Sequence, residues 1–211
     1  MTKQTLTIVG VFVLSLAAGC VQDDRLIRLA DRPPELPPSN LPLQLRQKNW
    51  VDSRGAGSCV IASSVYHFRW MGQPQIADYF RKSYAGGQTD TGIKKKWTEA
   101  KIPFVFTGDR SYDRSASAAY GDPSFLEWAS TTRRGAIIWY FDSHCVNFCG
   151  FSRIDGQDFA LLCDNNRVEK FIRIPKQQFL TAWRGYGGFA CTAMLPPAPR
   201  LPFEGYRTVA N

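Results

Sequence analysis

The stretch Gly57-Ser58-Cys59-Val60-Ile61-Ala62-Ser63-Ser64 decides the fold of this 211-residue chain. Ser58 is a competent N-cap residue, and apolar residues then recur at steps of three and four positions until Gly72 and Pro74 end the pattern. We therefore predict a central helix that begins at Cys59. A thiol in the first helical turn meets unpaired backbone amides and the positive end of the helix dipole, which favour the thiolate. Because most cysteines on a core-facing helix are inert, the significance of this one depends on its companions.

The rest of the pattern predicts an α+β fold. Further helices are predicted at 74–85, from a cap at Thr91 to about 100, at 122–130 with Asp122 as the cap, and at 175–183. Strands are predicted at 103–107, 136–141, 144–152, 157–163, 168–174 and 188–194. Because helices come first and strands mostly follow, we expect a helical layer packed on an antiparallel sheet.

The first twenty residues have the composition of an export signal. Lys3 is their only charge, and the apolar run from Leu6 to Leu16 is too short for a comfortable membrane span. The segment Leu16-Ala17-Ala18-Gly19-Cys20 resembles the lipobox of bacterial lipoproteins. The resemblance implies that residues 1–19 are removed and that Cys20 carries the lipid, which anchors the protein in the bacterial cell envelope at the periplasmic face of the outer membrane. An ordinary signal peptide or an uncleaved anchor is the alternative.

Pro-rich segments delimit the predicted domain. We interpret residues 20–46 as a lipid-anchored tether and residues 195–211 as a C-terminal tail, which leaves 47–194 as the folded domain. Without residues 1–19 the chain carries 25 Lys and Arg against 18 Asp and Glu, a balance that favours anionic lipid or polymer surfaces. No basic stripe with interleaved aromatic residues indicates a nucleic-acid partner. The sequence does not predict an oligomeric state.

Cysteine usage leaves two interpretations open. Apart from Cys20 and Cys59, four cysteines remain, and an exported protein can join four cysteines in three ways. A three-residue hairpin loop at 155–157 would place Cys149 opposite Cys163 and allow one disulfide, although both residues are equally compatible with buried free thiols. No second ligand pair accompanies Cys145 and Cys149, so no metal site and no cofactor are predicted.

The chain has two histidines, and one of them is a candidate partner for the thiol. His67 lies about 12 Å beyond Cys59 along the helix axis and cannot reach it. His144 opens an apolar strand, and the antiparallel return of the chain brings the acceptor-rich segment that contains Asp164 and Asn165 to its side. An imidazole that acts as a base needs such an acceptor to fix its tautomer.

This order of motifs resembles the papain-like cysteine peptidase superfamily, closest to the leader-peptidase (double-glycine peptidase) type of bacterial peptide exporters. The resemblance implies a central helix carrying the cysteine, packed on an antiparallel sheet that carries the histidine and its acceptor. It further implies that Cys59 is the nucleophile, that His144 is the general base and acid, and that Asp164 orients His144. Asn165 is the competing orienter, because papain itself uses asparagine at this place.

One position departs from the resembled pattern. The family places a glutamine, which donates a hydrogen bond to the oxyanion, six residues before the cysteine, where this chain has Ser53. Gln47 or Asn49 would replace it if the loop before Cys59 is longer, and the backbone amide of Cys59 would supply the other donor. The departure makes an impaired or altered enzyme an open alternative.

We therefore expect a membrane-anchored thiol hydrolase that cleaves a peptide or other amide bond. The alternatives are a papain-like fold without catalysis, acting as an envelope binding or structural lipoprotein, and an unrelated lipoprotein in which His144 is an ordinary core residue. The substrate is left open among a peptide, a peptidoglycan crosslink and an acyl donor.

Overall fold

The computed structural model describes residues 39–108, 120–141 and 143–195. Its helices are α1 (Cys59–Trp70), α2 (Pro74–Ser83), α3 (Asp90–Glu99), α4 (Pro123–Thr131) and α5 (Lys176–Gly185). Its strands are β1 (Phe104–Phe106), β2 (Ala136–Tyr140), β3 (His144–Ile154), β4 (Gln157–Cys163), β5 (Phe171–Pro175) and β6 (Ala190–Ala193). A 3-10 turn, Leu43–Leu45, precedes them. No helix within these ranges is long and apolar enough to cross a membrane. Cys20, the export signal and the C-terminal tail beyond Leu195 lie outside the described residues.

The six strands form one antiparallel sheet in the order β1-β6-β2-β3-β4-β5, so the predicted α+β class is confirmed. Helices α1, α2 and α3 cover one face, and α4 and α5 cover the other. The second covering layer explains why consecutive residues of β2, such as Ile137 and Ile138, are both fully buried. A strand that is buried on both faces has a continuous apolar run instead of an alternating pattern.

Helix α1 is the centre of the core. Phe68 of α1 packs against Phe80 of α2 and Trp97 of α3, with ring centroids 4.9 Å and 5.1 Å away. Full burial of one such side chain stabilises the fold by roughly 1.5–3 kcal/mol. Nearly every residue of α1 after Cys59 is buried, and its polar residues must therefore find partners inside the protein.

Two predicted helix caps differ in the structure. Ser58 precedes α1, but its hydroxyl accepts a hydrogen bond from the amide of Gly86 and makes none to the helix. The first amides of α1 are thus not occupied by a side-chain cap. Helix α3 is capped by Thr89, which accepts from the Gly92 amide, and not by Thr91.

The β3–β4 hairpin corrects the prediction about Cys149 and Cys163. Its loop is a two-residue turn, Asp155-Gly156, in which both residues have positive φ, as a tight hairpin requires. A register shift between Phe148 and Gly150 then places Cys149 in a bulge, so that Cys163 pairs with Asn147. The shorter turn and the bulge remove the predicted opposition, and both cysteines are buried free thiols.

The folded domain extends beyond the predicted boundary at residue 47. Ser39 donates to the carbonyl of Cys149 from its amide (2.8 Å) and its hydroxyl (2.9 Å). Leu41 is buried, and its amide donates to the hydroxyl of Tyr66. Arg46 holds the next turn by donating to the carbonyls of Leu41 and Val168. Residues 39–46, assigned to the tether by composition, therefore pack on the domain.

His67 is a core residue of α1 and is 2% exposed. Its Nε2 accepts from the amide of Ala193 at 2.9 Å, and its ring stacks on Trp97 at 5.9 Å. Burial, together with the nearby charge of Arg134, lowers the pKa of His67 to about 3. The ring is therefore neutral in the folded protein and serves as an acceptor that ties α1 to β6.

We expect His67 to make the protein sensitive to acid. The folded state disfavours the proton that the unfolded chain accepts below the ordinary histidine pKa of 6.5, so stability falls from there toward the folded pKa of about 3. At pH 4 the loss is on the order of 3 kcal/mol. Denaturant unfolding at pH 7 and pH 4 should show a smaller difference for His67→Gln, which keeps an acceptor, than for the wild type. Equal differences would show that His67 does not carry the effect.

Candidate active site

Three predicted residues meet at one edge of the sheet because each lies at the end of its element. Cys59 begins α1, His144 begins β3, and Asp164 directly follows β4. Helix α1 packs on β3, and the antiparallel β3–β4 pairing returns the chain to the start of β3. The start of α1 and the start of β3 therefore lie next to each other, where the helix packs on the sheet.

The imidazole of His144 lies between the two other side chains. Its Nε2 is 2.8 Å from Oδ1 of Asp164. The imidazole also hydrogen-bonds the Cys59 thiol. Asp164 is held in turn by the amide of Asn166 at 2.8 Å. The side chains of His144 and Asp164 are only 16% and 11% exposed, so water competes weakly for these bonds.

The pKa values of the three groups shift as an ion pair requires. Burial raises the pKa of Cys59, but the hydrogen bond from His144 and the backbone amides of Cys145 and Val60 outweigh it, so the net shift is downward. Burial opposes the charged form of His144 too, yet its bonds to Asp164 and Cys59 raise its pKa to about 9. Despite its burial, Asp164 has a lowered pKa because of the bond to His144 and the Asn166 amide. The arrangement favours thiolate beside imidazolium.

Of the two candidate orienters, Asp164 contacts the imidazole and Asn165 does not. The side chain of Asn165 points into the interior, where its Nδ2 lies near the carbonyls of Cys59 and Cys145 and the hydroxyl of Ser63. The aspartate partner explains the raised pKa of His144, since a carboxylate stabilises the imidazolium by charge as well as by a hydrogen bond.

The three oxyanion candidates lie in different surroundings. Gln47 donates to the neighbouring carbonyl of Lys48, and Ser53 is exposed in a turn between Val51 and Gly57, which pair across a β-bridge. This bridge folds the intervening residues outward and returns Asn49 to the start of α1. The Oδ1 of Asn49 accepts from the amide of Ser58 at 2.9 Å.

The orientation of the Asn49 amide follows from that contact. A backbone N–H can only donate, so Oδ1 faces Ser58 and Nδ2 faces outward, where it donates to Oδ1 of Asn166 at 3.0 Å. The Nδ2 of Asn166 then lies 3.4 Å from Nε2 of His144. A chain of two side-chain amides thus connects the residue before Cys59 to the imidazole.

Sequence reasoning missed the polar residues that join α1 to β3. The hydroxyl of Ser63 donates to the carbonyl of Cys145 at 3.2 Å, and Nδ2 of Asn147 donates to the carbonyl of Ser63 at 3.0 Å. The available signal was the placement of Ser63 and Asn147 inside otherwise apolar segments. Buried polar side chains in such places need mutual partners.

The described residues contain no group of three His, Cys, Asp or Glu side chains that could hold a metal ion. The chemistry that these residues offer is nucleophilic attack by a thiolate with proton transfer through an imidazole.

No family model, no curated protein and no solved structure matches this chain. A function is therefore inferred from the geometry of the site and from the sequence resemblance.

The presence of only two histidines allows a direct test of this electrostatic arrangement. In an NMR titration the ring protons of His144 should show a midpoint near 9, and those of His67 should not titrate above about pH 4, since its pKa is about 3. In Asp164→Asn the midpoint of His144 should fall by about one to three units, because a neutral amide no longer stabilises the imidazolium. Asp158→Asn, at the far end of the hairpin, should leave it unchanged. An unaltered midpoint in Asp164→Asn would contradict the assignment.

Proposed function

We propose that this protein is a thiol hydrolase of the papain-like cysteine peptidase type, which cleaves a peptide or other amide bond. The observation that carries the proposal is the position of His144, which is bonded through Nε2 to Asp164 and hydrogen-bonds the Cys59 thiol at the start of a helix. A structural histidine satisfied by the core, such as His67, has a depressed pKa, whereas that of His144 is raised. A partly exposed group whose pKa is shifted by specific charged partners is the pattern that marks candidate functional sites.

In the proposed reaction, His144 holds the proton of Cys59 and the thiolate attacks the carbonyl carbon of the substrate amide. The tetrahedral intermediate collapses when His144 returns the proton to the leaving nitrogen, so an amine departs and a thioester to Cys59 remains. His144 then takes a proton from water, which attacks the thioester and releases a carboxylic acid and the free thiol. Asp164 keeps the imidazole oriented and stabilises its charged form throughout.

Stabilisation of the oxyanion requires two donors, and Asn49 is the best-supported candidate for the second. The backbone amide of Cys59 lies at the uncapped start of α1, and the side-chain amide of Asn49 is held beside the same turn by Ser58. An amide group carries two protons, and the bond to Asn166 uses one of them. On this proposal the outward fold of residues 51–57 compensates for the serine at position 53.

The location belongs to the same proposal. Acylation of Cys20 would anchor the domain in the bacterial cell envelope, at the periplasmic face of the outer membrane. The segment between Cys20 and Ser39 would then separate the domain from the lipid surface, and the substrate would be a peptide or another amide of that compartment.

We expect Cys59 to react with iodoacetamide at mildly acidic pH. Of the five cysteines in the described part of the chain it alone is not buried, and burial raises the pKa of the other four. The experiment uses Cys20→Ala protein and identifies the modified residue by mass spectrometry. In His144→Ala the pKa of the thiol should rise toward its ordinary value of 9.0, because the hydrogen bond and the charge of His144 are lost, and alkylation at pH 6 should be slower than in the wild type.

His67→Gln is the matched control, since it removes the other histidine without contact to Cys59. Equal and slow alkylation of the wild type and of His144→Ala would contradict the ion pair, and would favour the alternative of a binding lipoprotein without catalysis.

Substitution of Asn49 should affect the chemical step. Asn49→Ala should lower kcat for amide hydrolysis by about 10²-fold to 10³-fold with little change in KM, because the donor acts on the oxyanion and not on the bound substrate. Ser53→Ala and Gln47→Ala should keep the wild-type kcat. If Ser53→Ala lost its kcat while Asn49→Ala stayed active, Ser53 and not Asn49 would be the oxyanion donor.

The anchor has its own test. Labelling of growing cells with radioactive palmitate should mark the wild-type protein, and the label should be lost in Cys20→Ala. Cys59→Ala is the control and should keep the label. Unchanged labelling of Cys20→Ala would refute lipidation at that residue.

A further inference from the structure

Asn165 follows Asp164, and its buried side-chain amide lies among backbone carbonyls of the site. It is 2% exposed, and its Nδ2 lies 3.1 Å from the carbonyl oxygen of Cys59 and 2.8 Å from that of Cys145. The same nitrogen lies 3.0 Å from Oγ of Ser63, while the backbone carbonyl of Asn165 accepts from the amide of Asn49 at 2.7 Å. Asn165 thus contacts α1, which begins with Cys59, β3, which begins with His144, and the loop before α1 that contains Asn49.

The orientation of the Asn165 amide is determined by these neighbours. Carbonyl oxygens can only accept, so the NH₂ group must face Cys59 and Cys145. The Oδ1 of Asn165 is buried and has no hydrogen-bond partner among the described residues. Leaving such an atom unsatisfied costs about 1–3 kcal/mol, so this placement favours the donor contacts over full satisfaction of the side chain.

We propose, resting on the proposed function, that Asn165 is a positioning residue that sets the separation between the Cys59 thiol and the His144 imidazole. Cys59 begins a helix and His144 begins a strand, and Cys145, which Asn165 holds, is the covalent neighbour of His144. One planar amide that is bonded to both backbones keeps the two elements at a defined distance. The attraction between thiolate and imidazolium falls with their separation, and the pKa of Cys59 therefore depends on this contact.

Asn147 provides a matched control. It is also buried, at 3% exposed, and its Nδ2 also donates to a carbonyl of α1, that of Ser63 at 3.0 Å. It is not bonded to Cys59 or to Cys145. The two asparagines make the same kind of bond between α1 and the sheet region, but only Asn165 contacts the backbone beside the reacting groups.

The test compares Asn165→Ala with Asn147→Ala in the full-length chain that carries Cys20→Ala. The rate at which iodoacetamide alkylates Cys59 is measured from pH 5 to pH 9. For Asn165→Ala we expect the midpoint of the profile to rise by about one unit, with about tenfold slower alkylation at pH 6. Asn147→Ala should lose thermal stability to a similar extent and keep the wild-type midpoint. Identical profiles for the two variants would overturn the positioning role.

If Asn165→Ala does not fold, Asn165→Ser retains a single donor on a smaller side chain. A folded Asn165→Ser should show a raised midpoint, and a wild-type profile in that variant would overturn the inference. A failure of the proposed function is recognised separately, because the wild type itself would then show no rapid alkylation at pH 6. A normal wild-type profile with an unaffected Asn165 variant would refute only the role of Asn165.

Discussion

The packing of the start of α1 against the start of β3 is the contact on which the rest of the site depends. Apolar side chains of α1 hold the helix on the sheet, and the site lies at the edge of that contact, where the first residue of each element is half-buried. The position matters electrostatically, because a group there is sheltered enough to strengthen a charged pair but remains open to a substrate. The hydrophobic core and the polar site are therefore two parts of one interface.

Polar residues inside this interface limit how far the two elements can slide. Ser63, Asn147 and Asn165 join the helix, the strand and the loop after β4 by buried hydrogen bonds. Apolar packing alone tolerates small shifts of one layer over another, whereas a hydrogen bond between buried groups has a defined length and direction. These bonds add to the apolar packing the precision that a pair such as Cys59 and His144 needs.

The two histidines show how the same side chain acquires opposite properties. His67 is surrounded by aromatic rings and accepts hydrogen bonds, so burial without a counter-charge keeps it neutral. His144 is also largely buried, but the carboxylate of Asp164 and the thiol of Cys59 favour its charged form. His67 is the more deeply buried of the two and has no counter-charge among its pKa determinants, whereas the partners of His144 outweigh the effect of its burial.

Local pattern in the sequence was sufficient for the helix at Cys59, the exclusion of His67 and the candidacy of His144, since helical period, rise per residue and strand alternation are local properties. The cap at Asp122 was found from the local pattern. The partner of Ser58, the two-residue turn and the bulge at Cys149 were missed, because each depends on a residue far along the chain or on a shift of one residue. The choice between Asp164 and Asn165, the return of Asn49 to the start of α1 and the second helical layer were decided only by the tertiary structure. Adjacent residues at a strand end face different surroundings, and only the packing of distant segments determines which of them meets the imidazole.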